Sequence, residues 1–158
     1  MKKIHDQILK LLKLETKTAF IMLIILDIVC IGMGMGVPFF NIVFGFFVGW
    51  YLVNQLSFSK IEVKDILRHL LKRACIISTV TFAGMVLIWG WSILLLRGSD
   101  TEIENFGIPM ILFLPRASLI GWIILMVFIS PFLQLLTAIF AGNLTLLYNG
   151  ALRTNKVR

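Results

Sequence analysis

Apolar residues in this chain do not recur with the period of a soluble helix or strand. They gather in four long runs, 18–34, 38–57, 74–96 and 117–147. A helix needs about 20 apolar residues to cross the hydrocarbon core of a bilayer, and each run is near that length or longer. The pattern predicts an all-α integral membrane protein, an antiparallel bundle of four transmembrane helices. The spans are TM1 over 18–36, TM2 over 38–57, TM3 over 74–96 and TM4 over 117–148. An inner segment 58–73, an outer loop 97–116 and a tail 149–158 complete a single membrane domain, 1–158.

Two segments outside the runs do show a helical period. In 1–17, Ile4, Ile8, Leu11 and Leu12 fall on one face, and Lys3, Asp6, Lys10 and Lys13 on the other. In 58–73, Ser59 and Glu62 stand at capping-box spacing. Val63, Ile66, Leu67, Leu70 and Leu71 then oppose Lys64, Arg68, Lys72 and Arg73. Both segments are expected to be amphipathic interfacial helices, apolar face down, with their cations on anionic lipid head groups. For 1–17 a partly ordered, solvated tail is the alternative.

Breaks between runs are equally legible. Gly32, Gly34, Gly36 and Pro38 fall within seven residues and predict a tight hairpin between the first two spans. Pro131 lies inside the fourth run, where its missing N–H should kink the helix. The outer loop opens on Asp100, Glu102 and Glu104, read as a solvated acidic cluster. It closes on an apolar stretch, 107–115, too short to span and expected to lie in the interface or re-enter the membrane.

Composition agrees with the runs: 59% of residues are hydrophobic, 15% are charged, and mean hydropathy is +0.95. The net charge of +7 would suggest nucleic-acid binding in a soluble chain. Here its distribution matters more. Every Lys and Arg except Arg97 and Arg116 precedes the first run, lies between the second and third, or follows the fourth. Cytoplasmic segments retain Lys and Arg, so both termini are expected inside a cell membrane, with no nucleic-acid partner. The first run is read as a retained span, because Asp27 interrupts it and no small-residue cleavage site follows. Trp89, Trp91 and Trp122 toward the outer side, with Trp50, Tyr51 and Tyr148 toward the inner, read as interfacial anchors. Cys30 and Cys75 differ in depth by well over ~10 Å, too far for a disulfide.

The four runs contain one charge between them, Asp27. A carboxyl at that depth is costly and marks a partner or a function. Ser130, Thr81 and Gln134 lie at comparable depths on other spans and complete a candidate proton or ion site. Two readings follow. In one, Asp27 is a neutral acid that hydrogen-bonds to Ser130 or a backbone carbonyl. In the other, it exchanges a proton or cation. A second candidate feature is the helix-packing set Asn41, Gly45 and Gly49, in which a GxxxG step lets backbones approach closely. Packing on the first span is the expected use, with homodimerisation as the alternative.

Catalytic constellations are missing. There is no His-x-x-x-His, Cys-x-x-Cys or Gly-x-Ser-x-Gly, and no second carboxylate in the runs. His69 reads as a surface residue, so neither metal nor cofactor is expected. In outline the chain is similar to the small four-span multidrug transporters, which also carry a first-span acid. Those chains are shorter, their acid is Glu, and their other motifs do not occur here. The expectation is therefore a non-enzymatic accessory, assembly or partner-binding membrane component. A small transporter or channel subunit using Asp27 is the alternative. Its partners would be the lipid bilayer, anionic head groups, and a second copy or another membrane protein. A reporter active only in the cytoplasm, fused to either terminus, should give signal at both; silence at both ends would overturn the charge argument.

Overall fold

In a computed structural model, residues 15–33, 38–57, 62–110 and 112–155 are described, the last five by backbone alone. Segment 1–14, most of the glycine hairpin and Ser59 lie outside them. Helix α1 spans Thr16–Met33, α2 Phe39–Ser57 and α3 Val63–Trp89, which tightens into a 3-10 segment over Gly90–Arg97. A short α4 covers Asp100–Asn105, α5 covers Pro115–Ile124, and α6 covers Ser130–Asn155. No strand occurs among the described residues. Four helical stretches are long and apolar enough to cross a membrane: Thr16–Met33, Phe39–Ser57, Val63–Arg97 and Pro115–Gly150.

The helix after the inner loop does not stop at residue 73. It runs unbroken from Val63 to Trp89. The apolar face of its first turns, Ile66 and Leu70, is buried within the protein core beside Leu52, Val53 and Leu56. Those side chains find protein partners, so the segment is the base of the third long helix.

Pro131 has the consequence expected of a missing N–H. Residues Leu125–Ile129, just before it, widen into a π-helical turn, with the Ser130 N–H bonding back to the Leu125 carbonyl. The wider winding absorbs the bond that proline cannot make. The Ser78 hydroxyl on α3 then donates to the Pro131 carbonyl at 2.7 Å.

The most extensive interface is between α2 and α6. A Cβ added at Gly45 would meet the Gln134 carbonyl oxygen, and one at Gly49 the Ala138 carbonyl oxygen. The GxxxG step therefore packs within the chain, and its partner is the fourth long helix, not the first. The Thr137 hydroxyl crosses the same interface to the Ile42 carbonyl at 2.9 Å. Gly142 supplies the matching notch on α6, where Leu70 and Val53 meet.

A second core forms where the end of α3 meets α4 and α5. Met85, Trp89, Ile103, Ile108, Leu119, Trp122 and Met126 pack together. Trp89 and Trp122, expected as interfacial anchors, instead turn inward and meet edge to face at 5.9 Å. Trp91 remains exposed. The acidic cluster is not a plain loop: it forms α4, whose Glu102 carboxylate accepts the Ser99 N–H at 3.0 Å. Arg116 pairs with Asp100 at 2.9 Å on the surface. Ser118 holds the non-helical stretch before α5 by donating to the Leu112 carbonyl and accepting its N–H. Both cysteines are free.

Replacing Gly49 by Ala should force α2 away from α6 and cost about 1–3 kcal/mol, as over-packing does. Gly121 on α5 has nothing within 4 Å of an added Cβ, so Gly121→Ala should be neutral or mildly stabilising. Unfolding of both variants in mixed micelles checks the contrast.

Candidate functional site

Helix α1 is apolar around nearly its whole circumference, so periodicity alone does not orient it. It buries a single narrow stripe, Ala19, Leu23, Asp27 and Ile31, one residue per turn. Asp27 is the only polar member and is 0% exposed. The opposing surfaces are α3, through Thr81, and α6, through Gln134, both also sealed from solvent.

These three side chains form a closed set. Thr81 Oγ1 lies 2.8 Å from Asp27 Oδ2 and 2.6 Å from Gln134 Oε1. Gln134 Nε2 donates to Asp27 Oδ1 at 2.7 Å. The Thr81 hydroxyl also approaches the Ile77 carbonyl one turn back, at 3.3 Å.

Counting protons fixes the state this geometry needs. The threonine hydroxyl has one proton and accepts through its lone pairs. With an ionised Asp27, that proton would have to serve both the carboxylate and the Gln134 oxygen. One contact of under 3 Å would then join two acceptors. Reversing the Gln134 amide moves the conflict without removing it, because its oxygen would then face Asp27 Oδ1. One more proton, on Asp27, resolves it. Asp27 then donates to Thr81, Thr81 to Gln134, and Gln134 to Asp27. All three bonds run in one direction around the ring. No Lys or Arg lies in any of the four apolar runs to offset a carboxylate, and an unpaired buried charge is far costlier than a neutral, hydrogen-bonded acid.

The structure thus brings Asp27, Thr81 and Gln134 together. Ser130 is also fully buried, but its hydroxyl has no hydrogen-bond partner. Asn41 is in the same condition, with both amide atoms sealed and unpaired. Gly45 sits on Gln134 and Gly49 on Ala138, so the register advances four residues on each helix together. Continued one turn back, it puts Asn41 level with Ser130. Sequence reasoning placed Asn41 among packing residues and missed that it is a sealed, unpaired amide one turn from the level of Gln134. The signal was its spacing, one turn before Gly45 on the face that meets Gln134.

Two cavities among the described residues lie elsewhere. One of about 360 Å³ sits between α2 and α6, lined by Phe46, Trp50, Ala141 and Tyr148. Another of about 260 Å³ lies between the starts of α1 and α3. Neither includes Asp27. No group of three or more His, Cys, Asp or Glu residues suited to a metal occurs among the described residues.

An amide matches a neutral acid in shape and can fill the same two roles in the ring, donating to Thr81 from its nitrogen and accepting from Gln134 at its oxygen. Asp27→Asn should therefore leave stability within about 0.5 kcal/mol. Asp27→Leu removes two interhelical bonds and should cost about 1–2 kcal/mol, since such bonds average ~0.6 and reach ~1.7 kcal/mol in membranes. Equal losses in the two variants, measured by unfolding in micelles, would contradict the proton count. No family model, curated protein or solved structure matches this chain.

Proposed function

We propose that this chain is a four-span protein of the cell membrane, with an antiparallel bundle and both termini cytoplasmic, serving as an accessory, assembly or partner-binding component. The observation that carries this reading is the closure of the Asp27 ring. A transported proton or cation needs a water-filled path to its site, and such sites line cavities. Asp27 is 0% exposed, each of its oxygens is engaged by Thr81 or Gln134, and neither cavity reaches it. In this reading the acid joins helices and does no chemistry. The one-sided placement of Lys and Arg supports the orientation.

A transporter or channel-subunit reading has one observation in its favour. Asn41 and Ser130 carry unspent polar capacity within about a turn of the ring. Polar atoms sealed without partners are expensive; a water would satisfy them, and a small cation would satisfy the Asn41 and Ser130 oxygens. Reconstitution into vesicles separates the two readings. The accessory role predicts no proton-coupled flux across a broad cation panel, for wild type and Asp27→Asn alike. Flux in wild type that disappears in Asp27→Asn would establish transport instead.

A further inference from the structure

The cavity between the starts of α1 and α3 is lined by Lys17, His69, Lys72 and Arg73, with Phe20 and Ile76 among its apolar walls. No carboxylate among the described residues lines it. Among the described residues neither Lys17, Lys72 nor Arg73 makes a salt bridge. One guanidinium nitrogen, Nη1 of Arg73, is sealed from solvent and has no hydrogen-bond acceptor. A guanidinium N–H in that state lacks a strong partner it is built to engage. The cavity is therefore a cationic cup with an apolar side, and one of the residues lining it carries an orphaned donor.

We infer that this cup binds the phosphate head group of one anionic phospholipid, with Arg73 and Lys17 on the phosphate and the acyl chain running past Phe20 and Ile76. The inference rests on the membrane reading above. The cup lies where the first long helix begins and at the basic base of the third, the side that the charge distribution assigns to the cytoplasm. Anionic lipids enrich that leaflet, and basic pockets between helices there suit their head groups. Two features favour a lipid over free phosphate. The walls combine charge with apolar surface, which an inorganic anion does not use. The cup also opens between helices long and apolar enough to cross a membrane.

The test is native mass spectrometry of the full chain in mild detergent, with phosphatidylglycerol, phosphatidylcholine or inorganic phosphate as probe. Wild type should retain one phosphatidylglycerol at least tenfold more than phosphatidylcholine, and millimolar inorganic phosphate should not displace it. Arg73→Gln and Lys17→Gln should each lower retention about tenfold. Arg68→Gln, on the same basic helix but outside the cup, should stay within twofold. If Arg73→Gln does not fold, Lys17→Gln and Lys72→Gln, both on exposed positions, carry the same comparison. Equal retention of the two lipids, equal loss in Arg68→Gln, or displacement by phosphate would each overturn the site. A chain that fractionates with membranes yet shows no lipid preference refutes the cup alone. A chain that leaves the membrane fraction refutes the membrane reading as well.

Discussion

In a bilayer, lipid tails solvate an apolar side chain as well as another helix does, so burial alone gives helices little reason to associate. What distinguishes the interior is any polar group that lipid cannot satisfy. In this chain that group is Asp27. Helix α1 offers its neighbours only the stripe from Ala19 to Ile31, and the carboxyl stands in the middle of it. Its two partners belong to different helices, Thr81 on α3 and Gln134 on α6. The ring therefore fixes the rotation of α1 and its depth against two elements at once. Turning α1 by one residue would aim the acid away from Thr81 and Gln134, where nothing replaces those bonds.

The α2–α6 contact works by a different principle. Here backbones approach through Gly45 and Gly49, and the gain is close van der Waals packing over a long contact. The two devices meet at Gln134. Its side chain belongs to the Asp27 ring, while its carbonyl oxygen lies against Gly45. That residue fixes α6 against α1 with one part and against α2 with the other. Shifting α6 along its axis would disturb both contacts together, which is how a small bundle obtains a single register.

Much of this was legible in the sequence, and the misses have physical causes. The four spans follow from run length alone. Asp27 could be matched with Ser130, Thr81 and Gln134 because depth along a helix is arithmetic, at about 1.5 Å per residue; depth does not say which of them bond, and the Ser130 hydroxyl does not. Rotation is harder, since a helix in lipid is apolar on every side. That is why the glycine step was expected against the first span when it meets the fourth. Trp89 and Trp122 were misplaced for a related reason. Tryptophan near a span end suits the membrane interface, but α4 and α5 cover that end and give the two rings an interior. The cover itself was missed because α4 has only six residues, Asp100–Asn105, too few to show a period. Its capping pair, Ser99 and Glu102, was the available signal. The unbroken α3 was missed because amphipathic patterning reads the same whether the apolar face meets lipid or protein.

Ser130 and Asn41 show how finely the polar interior is divided. Both are as deeply buried as Asp27, and both have atoms left unpaired. Yet Gln134, one turn from Ser130 on the same helix, is bonded to Asp27 and to Thr81. The difference lies in what faces each residue. Gln134 meets an acid and a hydroxyl that need it, and three of the four polar protons they carry close three bonds. At the level of Asn41 the amide brings two more protons and an acceptor, but no charge and no acid. Neither side chain hydrogen-bonds to the other or to anything else among the described residues, so that level adds no clasp of its own. The division between a saturated clasp and an unsaturated neighbour makes Asp27 the fixed point of the bundle and leaves the Asn41–Ser130 level as the part of the interior with polar capacity to spare.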